Sequence, residues 1–171
     1  NAPDKIVNHF FQKWNTLIVW EEREKYDVPG AFRMKKWYES DSTFYENHEA
    51  VDPEKLVRRR NTYSLTKEDV EEIVNGYDIS DNDFNVKLVF IVETLNKTNE
   101  EATVWITVFN ENKDILLCEK MSGNTGGFGF RNNWARPFHN IIKEIEEVKL
   151  TFEPCLRFAD QKNTSKVEME L

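Results

Sequence analysis

The chain has 171 residues, about the length of one domain, and its 31 acidic against 23 basic residues give a formal net charge of −8. This charge opposes binding to nucleic acid, and only residues 58–60 form a basic cluster. The longest apolar run, Leu88–Val92, is far shorter than the roughly 18 residues of a membrane-spanning helix, so we expect neither a nucleic-acid partner nor a membrane span.

The N-terminal part of the chain predicts one helix followed by two strands. Apolar residues recur at spacings of three and four over residues 4–20, which is typical of an amphipathic helix with one wide apolar face. Residues 31–39 and 56–65 mix aromatic or β-branched residues with cations and favour strands.

A short helix is predicted after the second of these strands. Thr66 and Asp69 have the spacing of a capping box, in which each side chain bonds to the backbone N–H of the other residue. Apolar residues follow on one face, and Gly76 has the position of a glycine that ends a helix.

Three consecutive strands are predicted next, over residues 86–95, 102–109 and 114–121. The first is apolar on both faces, which favours a central position in a sheet, and the second is rich in β-forming residues. Short polar turns join the three segments, so they predict an antiparallel meander.

The C-terminal part predicts a helix and two further strands. Apolar residues recur at helical spacing over 138–148, residues 148–153 favour a strand, and residues 166–171 favour an edge strand or a frayed tail. The expected fold is a single α+β domain over residues 1–171, with an antiparallel sheet packed on one side by two or three helices. Residues 1–3 resemble a tag remnant or a processed N-terminus, and residues 160–171 are expected to form a loop and a tail.

A glycine-rich segment joins the third meander strand to the last helix. Four of the six glycines of the chain fall within residues 123–129. Such a segment places free backbone N–H groups at the start of a helix, where anions are favoured, and its arginines and aromatic residues add charge and flat apolar surface. The candidate contact residues for a ligand or partner are Phe128, Phe130, Arg131, Asn132, Trp134 and Arg136.

The same segment also fits a purely structural connection. It has neither the Gly-Lys-Ser/Thr of a P-loop nor the glycine spacing of a dinucleotide-binding loop. In the structural interpretation, the glycines allow positive φ angles and the aromatic side chains fill the core. Exposure of Phe128, Phe130 or Trp134 would favour a contact surface, and burial of all three would favour the structural role.

The sequence gives no support for a catalytic or metal site. The histidines at 9, 48 and 139 are far apart and have no metal-binding spacing, so we expect no cofactor and no metal. Two cysteines are too few for a zinc site, and Cys118 and Cys155 either form a disulfide or remain free thiols. A Cys118–His139 nucleophile pair would require the fold to bring the two residues together.

Residues Val104–Ala135 carry a resemblance to a known group of proteins. This stretch ends in Gly-Gly-Phe-Gly-Phe-Arg-Asn-Asn-Trp-Ala and covers about a fifth of the chain. It resembles a segment of uncharacterised, secreted proteins of Bacteroidetes-type bacteria. The resemblance implies a periplasmic or extracellular location, with a cytoplasmic one left open, and it implies no activity and assigns no functional residue.

Two hypotheses of function follow. The first is a non-catalytic binding or interaction domain of an exported bacterial protein, whose partner is a small ligand, a glycan or a protein. The second is a small enzyme with a pocket in a cone-shaped α+β fold, in which a helix covers a curved sheet. An enzyme requires a deep pocket with at least two convergent ionisable groups of perturbed pKa, whereas a binding domain requires that Phe128, Phe130 or Trp134 is exposed in a patch.

Overall fold

A computed structural model of the chain describes residues 3–33, 38–39, 52–57, 63–77, 86–148 and 167–170. Helix α1 covers residues 3–21 as successive α- and π-helical parts, which are Pro3–Lys5, Ile6–Phe11, Gln12–Thr16 and Leu17–Glu21. The later helices are α2 (Val28–Ala31), α3 (Pro53–Leu56), α4 (Lys67–Gly76) and α5 (Phe130–Val148). The strands are β1 (Tyr38–Glu39), β2 (Val86–Asn96), β3 (Glu101–Asn110), β4 (Ile115–Asn124) and β5 (Val167–Glu170).

The predicted meander forms the centre of the sheet. Strands β2, β3 and β4 pair antiparallel in sequence order, and a bulge interrupts the β2–β3 register between Val92 and Thr94. With the helices around it, this sheet confirms the predicted α+β class with an antiparallel meander.

The C-terminal strand has a different position from the one expected. Strand β5 lies between β1 and β2 and runs parallel to both, so the sheet is mixed and its order is β1-β5-β2-β3-β4. The strand predicted at 166–171 is therefore confirmed for residues 167–170, but its predicted position at the edge of the sheet is wrong. Parallel neighbours need a long connection, and β1 and β5 are far apart in sequence, so no local pattern reveals their pairing.

The predicted strand at 31–39 is only partly correct. Strand β1 falls inside it, but Ala31 is the last residue of α2. The Asp27 carboxylate accepts a 2.9 Å hydrogen bond from the N–H of Gly30 and caps this helix. A local cap and a proline in the first turn favour a helical turn here over a strand.

The predicted strand at 56–65 is wrong at both of its described ends. Leu56 is the last residue of α3, whose first turn is capped by Asp52 through a 3.1 Å hydrogen bond from the N–H of Glu54. Residues 63–65 form no strand, and the arginines at 58–60 lie outside the described residues.

Helix α4 confirms the predicted capping box. The Thr66 hydroxyl accepts from the N–H of Asp69 at 3.2 Å, and the Asp69 carboxylate accepts from the N–H of Thr66 at 2.7 Å. Gly76 is the last helical residue and has no positive φ, so it is not the glycine beyond the helix end that its position suggested. Tyr77 caps the end of the helix instead. Its ring stacks on that of Phe109, with the ring centroids 5.9 Å apart.

Helices cover both faces of the sheet, so the prediction of helices on one side only is wrong. On one face, α1, α2 and α5 bury side chains of β2 and β3 such as Leu88, Phe90 and Ile106. On the other face, α4 buries Val89 and Phe109. Strand β2 is covered on both faces, which explains why its apolar residues follow one another without alternation. None of the described helices is long and apolar enough to cross a membrane.

Helix α5 continues one residue into the strand predicted at 148–153, since Val148 is its last residue; residues 149–153 lie outside the described part. Its first turn is held against α1 by aromatic rings. Phe130 lies 4.5 Å from Phe10 and 5.9 Å from Trp14, measured between ring centroids. This seam fixes the start of α5, and so the end of the glycine-rich segment.

Candidate functional site

The glycine-rich segment forms a shorter loop than the sequence suggests. Strand β4 continues to Asn124 and α5 begins at Phe130, so the loop consists of residues 125–129. The N–H of Thr125 donates to the carbonyl of Glu100 at 2.7 Å, and the N–H of Gly126 donates to the carbonyl of Asn133 at 3.3 Å. These bonds tie the loop to the β2–β3 turn and to α5.

Two glycines determine the backbone conformation of this loop. Gly127 and Gly129 have φ angles of 98° and 84°, in the left-handed region that other residues rarely adopt. Phe128 stands between them, and its side chain is 97% exposed. The turn therefore presents a large apolar side chain to solvent.

The other two aromatic candidates face inward. Phe130 is half-buried and packs against the core beside Phe10 and Trp14. Trp134 is only 6% exposed and belongs to the core under the sheet. The segment thus combines both interpretations, since two of its aromatic side chains pack inward and Phe128 is free to contact a partner.

Of the three polar candidates, one is paired within the protein and two are exposed. Arg131 forms an ion pair with Glu21 of α1. Asn132 and Arg136 are exposed, and no carboxylate of the described residues pairs with Arg136.

The loop lies along the first two turns of α5. A Cβ atom on Gly126 would be 3.5 Å from Cγ of Arg136, and one on Gly127 would be 3.5 Å from Cβ of Asn132. Phe128 directly follows these glycines in the chain. Below, the loop surface means Phe128, Asn132 and Arg136.

The sequence contains a signal for this surface that no motif describes. Residues 121–143 include no Asp or Glu, although the whole chain has 31 acidic residues among 171. The same stretch contains two arginines, one lysine and one histidine. An acid-free stretch in an acidic chain marks a local surface whose charge differs from that of the rest.

Tyr26 and His139 form a neighbouring pair that the sequence did not indicate. Their rings meet edge to face with centroids 5.9 Å apart. Burial and, to a lesser extent, Glu22 raise the pKa of Tyr26 to about 12, against the opposing effect of nearby arginines. Burial lowers the pKa of His139, and Arg136 lowers it further. At neutral pH the phenol keeps its proton and the imidazole is uncharged, so the pair packs as neutral groups.

A cleft of about 390 Å³ is formed by the end of α1, the turn after it and α2. Its lining combines apolar residues with charged residues of both signs, such as Val19, Arg23 and Asp27. Among the described residues the lining includes four ionisable side chains, Arg23, Glu24, Tyr26 and Asp27, but no Ser, Cys or His, so no Ser–His or Cys–His pair lies there.

The Cys118–His139 pair considered above does not form. Cys118 packs against the cluster under α4, whereas His139 lies on α5 at the opposite face of the sheet. Burial also raises the pKa of the Cys118 thiol, which makes it a poorer nucleophile at neutral pH. Cys155 lies outside the described residues.

A buried carboxylate on the α4 side of the sheet has a structural role. Oε2 of Glu93 accepts hydrogen bonds from the N–H of Leu65 at 3.1 Å, from Nε1 of Trp105 at 2.7 Å and from Nζ of Lys120 at 2.8 Å. Burial alone would raise the pKa of Glu93, but these donors outweigh it and lower the pKa. The ionised group therefore anchors the segment before α4 to the sheet.

The described residues contain no group of three or more His, Cys, Asp or Glu side chains placed to hold a metal ion. Comparison of the chain with known protein families, with curated proteins and with solved structures finds no match.

Proposed function

We propose that this chain is a non-catalytic binding domain whose loop surface contacts its ligand. The observation that carries the proposal is Phe128, whose side chain is almost fully exposed between two glycines of positive φ. A phenylalanine gains about 1.5–3 kcal/mol when it is removed from water. A partner that covers Phe128 would therefore gain binding energy without displacing any packed residue.

The surroundings of Phe128 support this role. Hydrogen bonds to Glu100 and Asn133 hold the loop in place, so little conformational entropy is lost when a partner binds. Aromatic and arginine side chains are enriched in binding surfaces, and Arg136 and the Asn132 amide supply polar contacts beside the ring. Small ligands, glycans and proteins are the classes of partner to be tested.

An exported bacterial location belongs to the same proposal. It rests on the resemblance of residues 104–135 to secreted proteins of Bacteroidetes-type bacteria. Detection of the chain in the periplasmic or extracellular fraction of its host would support this location, and recovery in the cytoplasmic fraction would contradict it.

A thermal-shift screen against sugars, nucleotides, metals and peptides tests the binding function. A ligand at about 100 times its Kd stabilises a protein by about 2.7 kcal/mol, which raises the Tm of a chain of this size by about 5–10 °C. We expect this shift in the wild type and in Val57→Ser, which removes another exposed apolar side chain. In Phe128→Ser the shift should be lost.

Two results are decisive in this screen. A ligand that stabilises all three proteins equally binds elsewhere and contradicts the role of the loop surface. If no sugar, nucleotide or metal raises the Tm, the result favours a protein or peptide partner.

A further inference from the structure

We infer that the partner of the loop surface is an acidic peptide segment, which presents a carboxylate next to an apolar side chain. This inference rests on the proposed binding function of the same surface and adds the chemistry of its partner. It is carried by the pattern of ion pairs along α5 and by the packing of the loop on this helix, whereas the net charge of −8 disfavours more extended anions.

One cationic side chain of α5, that of Arg136, has no ion-pair partner among the described residues. Arg131 is neutralised by Glu21, and Lys143 is neutralised by Glu146 at 2.7 Å. Arg136 is exposed and pairs with no carboxylate of the described residues. The planar guanidinium group donates two parallel hydrogen bonds to a carboxylate, so an exposed arginine without an ion-pair partner fits this group well.

The second step is the position of the apolar contact. Gly126 and Gly127 lie against Arg136 and Asn132, and Phe128 follows directly in the chain. A peptide that meets Arg136 with a carboxylate can therefore place a neighbouring apolar side chain against the Phe128 ring. The exposed Asn132 amide can donate to a backbone carbonyl of the same peptide.

The third step concerns other anions. A phosphate carries nearly two negative charges at neutral pH, so one uncompensated arginine would neutralise only part of it. Nucleic acids and anionic membranes present charge over long distances and are repelled by the net charge of −8. Charges more than about 8 Å away are largely screened, because this is the Debye length at physiological salt. A short peptide bound at the loop surface therefore interacts mainly with the charge of Arg136.

A selection from a random dodecapeptide library tests the inference without assuming a sequence. The library is displayed on phage and selected on the immobilised full chain, and peptides that also bind Phe128→Ser are removed. We expect the recovered peptides to be enriched in Asp or Glu next to Phe, Leu, Ile or Trp. Affinities of synthetic copies are then measured by fluorescence polarisation.

Substitutions on both sides of the contact identify the charge pair. Arg136→Glu should weaken binding about tenfold to a hundredfold, the usual effect of losing a hydrogen bond to a charged group. Replacing the acidic residue of the peptide by Asn or Gln should have a similar effect. Lys67→Glu makes the same charge change at an exposed position of α4, on the other face of the sheet, and should leave the affinity unchanged.

Each alternative outcome has a clear meaning. Recovered peptides that lack acidic residues, or that bind Arg136→Glu as tightly as the wild type, overturn the acidic partner but leave Phe128 as a contact. Phe128-dependent binding to phosphatidylserine vesicles, with no peptide recovered, overturns it in favour of a membrane surface. Recovery of no peptide also overturns it, and the thermal-shift screen then decides separately whether the loop surface binds another ligand.

Discussion

Nε1 of Trp14, in the middle of α1, donates a 3.0 Å hydrogen bond to the backbone carbonyl of Arg131, 117 residues further along the chain. The bond joins α1 to the first turn of α5, which directly follows the loop. The same turn carries the Arg131–Glu21 ion pair, so backbone and side chain of one residue both hold α1. The orientation of the loop therefore depends on a helix that is remote from it in sequence.

Replacement of Trp14 by Phe should lower the free energy of unfolding by about 2–4 kcal/mol, because it removes this hydrogen bond and leaves a cavity at a buried position. Urea denaturation measures the change. Trp20→Phe is the matched control, since Trp20 is 48% exposed on the same helix and should change stability by less than about 0.5 kcal/mol. Equal losses in the two variants would show that the bond to Arg131 contributes nothing.

Replacement of Gly123 by Ala should destabilise the chain by about 1–3 kcal/mol. Gly123 lies in β4, and a Cβ atom there would be 2.4 Å from the carbonyl oxygen of Pro137 and 2.8 Å from its Cα. Both are backbone atoms of α5, so the helix would have to move away from the sheet. Thermal denaturation followed by circular dichroism measures the loss.

Gly76→Ala is the control for this substitution. A Cβ atom on Gly76 would meet no atom within 4 Å, and the residue is helical without a positive φ. Alanine should therefore leave the Tm unchanged or raise it slightly, since it favours a helix over glycine. If Gly123→Ala were as stable as Gly76→Ala, the close approach of β4 to α5 would be incorrect.

Glu93→Gln should cost about 1–3 kcal/mol at neutral pH, because three donors would lose their shared charged acceptor. The pKa of Glu93 lies below the ordinary value of 4.5 in the folded chain. Its contribution to stability is therefore present above about pH 4.5 and is lost as the pH falls through the lower, folded-state value.

Unfolding measured in urea between pH 7 and pH 3 tests this contribution. The wild type should lose more stability below about pH 4.5 than Glu93→Gln, in which the titrating group is absent. Glu72→Gln, at an exposed position of α4, should follow the wild-type curve. A wild-type curve parallel to that of Glu93→Gln would mean that this carboxylate is not stabilised by folding.

Local patterns predicted the elements whose causes are local. The capping box of Thr66 and Asp69 needs only residues three apart, and the apolar run Leu88–Val92 favours a central strand, in which the structure buries Leu88–Ile91 and leaves Val92 39% exposed. Both predictions are confirmed. Strand β5 could not be placed in this way, because its neighbours are residues 38–39 and 86–89, far away in the chain.

In the glycine-rich segment, too, the features with local causes could be predicted and those set by distant residues could not. Its glycines predicted an unusual backbone, and Gly127 and Gly129 confirm it with positive φ angles. The sequence could not show that Gly123 belongs to a strand, since its reason is the approach of Pro137. It also did not distinguish Phe128 from Phe130, because the helix was predicted to start later, whereas Phe130 is the first residue of α5 and precedes the buried Trp134 and Phe138 at helical spacing.

The imidazole of His139 should make folding depend on pH in the mildly acidic range. Burial and the charges of Arg136, Lys25 and Lys143 lower its pKa below 6.5 in the folded chain, and the hydrogen bond to Asn140 opposes this only partly. An unfolded histidine binds a proton near pH 6.5, so the unfolded state takes up more protons just below that pH. Stability should therefore fall as the pH decreases from about 6.5 towards the folded-state pKa.

His139→Gln removes the titrating group and should flatten this slope, even if losing the contact with Tyr26 lowers stability at every pH. Urea unfolding at pH 7.5, 6.5 and 5.5 compares the two slopes. An NMR titration of the imidazole proton resonances gives the pKa of His139 directly, with the variant used to assign its signal. In Arg136→Gln this pKa should rise, because a repelling charge is removed. A pKa above 6.5 in the wild type would contradict the buried, cation-flanked position of the ring.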